Sequence, residues 1–346
     1  MSNDMPPLPY SYNQEDIAEA RSGTYRFFAH LFAAEPDGRW LEFLGKNSDY
    51  LANLNLPPKE AENEFLELLQ VEYANIFLLN LYPYESVFVG AEPMLNTGET
   101  EAVQQFYHRY NFSVGGVRGK IKNLPPDHLS AELRFLGFLA KYEAQARREN
   151  QPRKAELLGR SAYTFLQKHL LCWLPVMSLN VARVTRHDFY PNLTAQALSF
   201  VLFDYQHLQE LYRDNEPVSL NLANEPNFAY ESLPDVVNFL ITPSRSGFLL
   251  TKIEIGRLAK QLQLPPGGEN RFQMLWALFE QAARYEVLPV LLSALADIAT
   301  EYMQALENLA KEFPFALTIL NLAHTKIKRT LSLLQQMQSL VNQFAI

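Results

Sequence analysis

Apolar residues recur along this chain at the 3.6-residue spacing of an α-helix, and prolines, mostly clustered, cut that pattern into segments. No stretch shows the apolar–polar alternation of a half-buried strand. Together these features restrict the chain to helix packed on helix, so the fold class is all-α. From Ile17 to Phe32, Ala18, Ala20, Tyr25, Phe28, Leu31 and Phe32 keep a loose helical period. Pro36-Asp37-Gly38 ends it, a short segment from Trp40 to Leu44 follows, and Pro57-Pro58 is the next stop. A helix from Lys59 to about Phe77 puts Phe65, Leu68, Leu69 and Phe77 on one side. Pro83 to Thr100 reads as loop, and Thr100 to Tyr110 as helix.

Asn111 to Asn123 is a glycine-containing basic loop. A helix opened by Asp127-His128 runs to about Arg148, and others run from Pro152 to Leu171, Trp173 to Arg186 and Thr194 to Arg213. The polar stretch after Asp214, with Pro217, Pro226 and Pro234, is the best linker. At 346 residues, two domains are expected. They divide as a disordered tail over 1–14, a first helical domain over 15–214, a linker over 215–235 and a smaller helical extension over 236–346.

In that extension, Thr251-Lys252-Ile253-Glu254 is a capping box, with Thr251 accepting from the third helical N–H and Glu254 reaching back to the cap. Pro265-Pro266-Gly267-Gly268 stops that helix, another runs from about Arg271 to Tyr285, and Pro289 suits the first turn of the next. A last helix covers about Phe315 to Phe344, with Leu320, Ile327, Leu334 and Val341 spaced by seven. That stripe either closes the chain's own bundle or forms a dimer seam.

Hydrophobic content of 48% supports packed cores, and a net charge of −8 disfavours a nucleic-acid binder, which needs a basic face. An acidic surface attracts a basic peptide. The lone cysteine, Cys172, lies between leucines and a tryptophan and reads as a buried inert thiol, with no disulfide possible within the chain. The start lacks a basic segment followed by an apolar one, so it is not a signal peptide, and no apolar run is long enough to span a bilayer. A cytoplasmic protein without stable membrane insertion is expected.

Catalytic signatures fail one by one. The seven histidines form no His-Glu-x-x-His motif and there is no cysteine pair for zinc. Gly115 to Ile121 has the wrong spacing for a phosphate loop, and Ser86 lacks a Gly-x-Ser-x-Gly elbow. A hydrolase using His128 and Glu132 would have neither nucleophile nor metal.

Two strings remain. Leu124-Pro125-Pro126-Asp127-His128-Leu129-Ser130-Ala131-Glu132-Leu133-Arg134-Phe135 places an acid and a histidine at a helix mouth. Asp127 is either a helix cap beside a packing histidine, or part of a polar patch for a basic peptide. Glu132 lies one turn beyond His128. Tyr82-Pro83-Tyr84-Glu85-Ser86-Val87-Phe88 is either a packed loop or the aromatic wall of a groove.

Taken in order, the Pro-Tyr-Glu-Ser-Val loop, a Thr-x-x-Val helix ending in Tyr-x-x-Tyr, and Pro-Asp-His-Leu-x-x-Glu-Leu-x-Phe-Leu resemble the TorD/DmsD/NarJ family of redox-enzyme maturation chaperones. Glu72-Tyr73-x-x-x-Phe77, Phe165-x-x-x-His169-Leu170-x-x-Trp173 and Phe189-Tyr190 agree with it. The match runs from about Ala18 to Tyr212, and the extension resembles that of longer members.

The resemblance implies a helical chaperone with no catalytic activity and no cofactor of its own. It would bind the leader, often twin-arginine, and the apo-form of a molybdopterin oxidoreductase before export, the client carrying molybdopterin guanine dinucleotide. Pro126, Asp127 and His128 match the family's leader-recognition motif, Tyr84, Glu85 and Ser86 its second loop, and Glu132 its downstream acid. In the expected mechanism Asp127, Glu132 and Glu85 meet the leader's arginines, while Tyr84, Phe88 and Phe135 take its apolar helix. The alternatives are a nitrate-reductase delta-type assembly factor for a non-exported subunit, or a helical scaffold that dimerises through Phe315 to Phe344.

Overall fold

The computed structural model describes residues 13–47, 51, 59–91, 98–114, 124–213, 232–265 and 267–344. Residues 1–12 of the expected tail, residues 115–123 of the basic loop and residues 215–231 of the linker lie outside the described residues, while Asn13 and Gln14 cap and open the first helix. The described elements are all helical, joined at one point by an isolated antiparallel bridge between Tyr84 and His128.

Helix α1 (Gln14–Leu31) lies along α6 (Leu129–Arg148) in the most extensive helix pair of the molecule. Gly137 permits this approach, since a Cβ there would meet Tyr25 Cβ at 3.2 Å. Ser22 Oγ donates to the Gly137 carbonyl at 2.9 Å across the same contact. Arg21 is buried between two acids, donating to Glu143 at 2.7 Å and to Asp204 of α9 (Phe189–Tyr212). Burial opposes its charge, but Asp204 and Glu143 hold the guanidinium above its ordinary range.

Helix α2 (Gly38–Lys46) is capped by Asp37, which accepts from Trp40 N at 2.9 Å. Helix α3 (Glu62–Tyr73) runs on as a π turn over Ala74–Asn80. The stretch expected as loop from Pro83 to Thr100 holds a short helix, α4 (Glu85–Val89), and α5 already begins at Gly98 (Gly98–Arg109). Five residues are too few to show a helical period, and what starts α4 comes from elsewhere in the chain. Helices α7 (Pro152–Phe165) and α8 (Leu171–Val184) were expected to break at Cys172. They are instead fused through a π turn over Leu166–Leu170, with Pro175 in the second turn of α8. Helix α9 begins five residues before the expected Thr194, with Pro191 tolerated in its first turn.

Beyond residue 231 come α10 (Leu233–Ile241), α11 (Pro243–Ser246), α12 (Lys252–Gln261), α13 (Arg271–Arg284), α14 (Leu288–Glu312) and α15 (Leu317–Phe344). The Thr251–Glu254 capping box is present as expected, with both reciprocal bonds made. These helices share a continuous hydrophobic core with the first part. Arg183 of α8 bonds Glu254 at 2.6 Å and Glu301 at 2.7 Å, and lies 4.7 Å over the Tyr302 ring. Tyr302 Oη donates to Asn180 Oδ1 at 2.7 Å, and Ser244 Oγ of α11 to the Gly90 carbonyl at 2.7 Å. On α15, Leu320, Ile327 and Leu334 are buried in the chain's own core, while Val341 is half-buried. No described helix is long and apolar enough to cross a membrane.

Candidate functional site

The two sequence strings form one unit. Leu129 N donates to the Pro83 carbonyl and Glu85 N to the Asp127 carbonyl, both at 2.9 Å. Asp127 Oδ2 accepts from Ser86 N at 3.1 Å. The first N–H groups of a helix have no partner within it. For α4, Asp127 supplies two of the missing partners, one from its backbone and one from its side chain. It caps a helix to which it is not adjacent in sequence. The expectation that Asp127 caps its own helix is therefore corrected: His128 does so, its Nδ1 accepting from Ser130 N at 3.0 Å.

An accepting Nδ1 requires a neutral imidazole with its proton on Nε2. Burial and the nearby Arg134 guanidinium push the His128 pKa down to about 3, in keeping with that geometry. The Tyr84 ring meets the imidazole edge-on at 5.0 Å. Tyr107 Oη donates to the Pro126 carbonyl at 2.7 Å, tying α5 to the same turn.

Below this turn lies a buried acid pair. Glu85 contacts His169 Nδ1 at 3.1 Å, and Glu132 Oε2 accepts from Trp173 Nε1 at 3.3 Å. Burial, then repulsion from Glu85 and Asp127, drives the Glu132 carboxyl well above the usual carboxylate range. Glu85 is also raised, chiefly by burial, against the pull of His169. Glu132 is thereby favoured in its protonated form. A protonated Glu132 can donate to the Glu85 carboxylate, and the hydroxyl of Ser86 is buried without a hydrogen-bond partner among the described residues. Burial, with Glu85 nearby, pushes the Cys172 thiol up to about 12, consistent with an inert thiol.

Of the nine expected site residues, Tyr84 and Pro126 keep partial exposure, and Glu85, Ser86, Phe88, Asp127, His128, Glu132 and Phe135 are buried. Phe88 stacks on Trp173 at 5.5 Å. Phe135 is surrounded by Tyr107, Phe165 and Phe112, with ring centroids 4.8 to 5.3 Å away. In this conformation the acids support the Tyr84 loop from beneath and do not form an open wall. Four large apolar residues just before the loop in sequence, Val71, Leu78, Leu79 and Tyr82, are exposed. Tyr82 has a positive φ of 45°, uncommon for a residue with a side chain.

Sequence spacing alone gives His169 and Trp173 no role. Their spacing of four, which puts two side chains on one helix face, was the available signal. The π turn that carries His169 left no such mark. Among the described residues no group of side chains has the makeup of a metal site.

The family model of the nitrate reductase delta subunit matches residues 38–178, a span that includes all nine residues and both His169 and Trp173. The chaperone protein TorD of Psychrobacter sp. (strain PRwf-1) is 27% identical over 214 residues, covering 56% of this chain and 93% of that protein. TorD of Vibrio parahaemolyticus is 24% identical over 214 residues, covering 55% and 95%. TorD of Vibrio atlanticus is 24% identical over 144 residues, covering 40% of this chain and 64% of its own length. The motifs that join in the Asp127–Ser86 contact lie within the matched span, and over this part the chain is similar to the TorD/DmsD/NarJ family.

Proposed function

We propose that this protein is a system-specific chaperone that binds the leader peptide and apo-form of a molybdopterin oxidoreductase and holds it until cofactor insertion. The observation that carries the reading is the union of the two family strings into one unit at the Asp127–Ser86 contact. The similarity to TorD chaperones supplies the client class. The exposed apolar side chains of Val71, Leu78, Leu79 and Tyr82 could take the apolar part of a leader. The acid pair beneath is suited to a guanidinium, which would ionise Glu132 and replace the proton it shares with Glu85. Reaching it requires α4 to shift, and α4 is one short helix started by a single distant cap.

Calorimetry of the purified chain with a synthetic twin-arginine leader of a molybdopterin oxidoreductase tests the reading. Asp127→Ala with His128→Ala is expected to weaken binding while far-UV circular dichroism stays helical. Unchanged affinity would sink the site assignment. The matching family model is that of the nitrate reductase delta subunit, which favours a second reading: an assembly factor for a non-exported catalytic subunit. Binding to a client segment without the twin-arginine pair, and none to a twin-arginine leader, would select it.

A further inference from the structure

A second hollow adjoins the Tyr84 site, since its Arg134 also acts on His128 and its Phe112 packs on Phe135. Its volume is about 690 Å³, and it opens between α1, α2 and α6, with Phe112 and Ser113 on its border. Arg134, Gly137, Phe138 and Lys141 contribute a stripe of α6 at three- and four-residue spacing, so they share one helix face. Arg26 faces them from α1. Among the described residues that line it, none is an aspartate or glutamate, on a chain whose net charge is −8.

The other wall is aromatic. Phe27 and Phe43 stack at 5.8 Å, and the His30 ring lies 4.1 Å from Phe43. Phe112 and Phe138 meet edge-on at 5.2 Å. Burial and Arg134 lower the His30 pKa, leaving a neutral ring that offers both a donor and an acceptor. A solvated charged helix face does not need rings around it, and a core does not need three cations. The two together, in a space within the usual ligand-pocket range of about 300–1,000 Å³, describe a binding site.

We propose that this hollow binds an organic anion carrying an aromatic ring, with Arg26, Arg134 and Lys141 meeting the charge and the phenylalanines holding the ring. Cations over ring faces and charge-assisted bonds to an acidic group both strengthen where water is partly excluded. The proposal does not depend on the peptide reading above.

The test uses fluorescence titration of the full chain with two dyes of like ring structure. One is 1-anilinonaphthalene-8-sulfonate, which carries an anion. The other is N-phenyl-1-naphthylamine, which does not. Saturable binding of the sulfonate, at least tenfold tighter than the neutral dye, is expected. Arg26→Gln with Lys141→Gln should weaken the sulfonate about tenfold and leave the neutral dye unchanged. Both replaced residues are exposed, so the fold should persist, and thermal melting checks that. Phe43→Leu should weaken both dyes. Inorganic phosphate at the same concentration should not displace the sulfonate. Equal affinity for the two dyes, or a sulfonate affinity indifferent to the charge variant, would overturn the proposal. Full displacement by inorganic phosphate would overturn the aromatic half of it.

Discussion

Asp127 and Ser86 are joined by one hydrogen bond, carboxylate Oδ2 to backbone N at 3.1 Å, and that bond starts a helix. The two residues lie on different elements, Ser86 on α4 and Asp127 in the turn before α6, and without the bond the Ser86 amide would lose its partner.

Replacing Asp127 with alanine leaves the buried Ser86 N–H without that partner. The cost of losing a cap is about 0.5–2 kcal/mol, toward the upper end here because the amide is buried. Asparagine retains an acceptor oxygen and should cost less than half as much. Urea denaturation of the two variants checks the order. Equal losses would mean that the charge of Asp127, not its position as acceptor, is what matters.

His128 sets an acid limit on stability. Its folded pKa is depressed to about 3, below the ordinary histidine value near 6.5, so between these values the unfolded chain binds more protons than the folded one. Stability therefore rises with pH across that window and is lost as pH falls from about 6.5 toward 3. His128→Asn keeps a cap acceptor without the titration. Its denaturation midpoint should fall less than the parent's between pH 7 and pH 5.

Glu132 acts in the opposite direction. Its folded pKa is raised, so its contribution is greatest at low pH and is lost as pH rises from the ordinary carboxylate value through the folded one. Glu132→Gln retains an acceptor for Trp173 Nε1 and cannot ionise. The variant should gain stability relative to the parent as pH is raised from 5 to 9, measured by thermal melting at each pH. A constant difference across that range would contradict the assignment.

Arg183 fastens the C-terminal helices to α8 through Glu254, Glu301 and Tyr302. Glu254 is buried, so Arg183→Ala strands a carboxylate, at a cost of about 3–5 kcal/mol for breaking a buried pair and less to the extent that Arg183 is partly exposed. Hydrogen exchange should quicken in α12 and α14 before it does in α1 and α6. Uniform quickening would show that the two parts open as one.

The sequence alone determined the all-α class, most helix positions and the Thr251–Glu254 cap, because these depend on residues within one or two turns of each other. It also carried the family strings, in order, and so the resemblance. It could not show that α4 is a helix, since the residue that starts it lies in another string. Nor could it show that His128 rather than Asp127 caps α6, or that His169 and Trp173 reach Glu85 and Glu132. Burial was decided in the same way: Asp127, Glu132 and Glu85 are polar residues that composition places at a surface, and the packing of α4, α6 and α8 takes them out of water. Local periodicity records which face of a helix is apolar. Which distant polar group meets that helix, and how far a carboxyl is driven toward its neutral form, depends on contacts that exist only once the chain has folded.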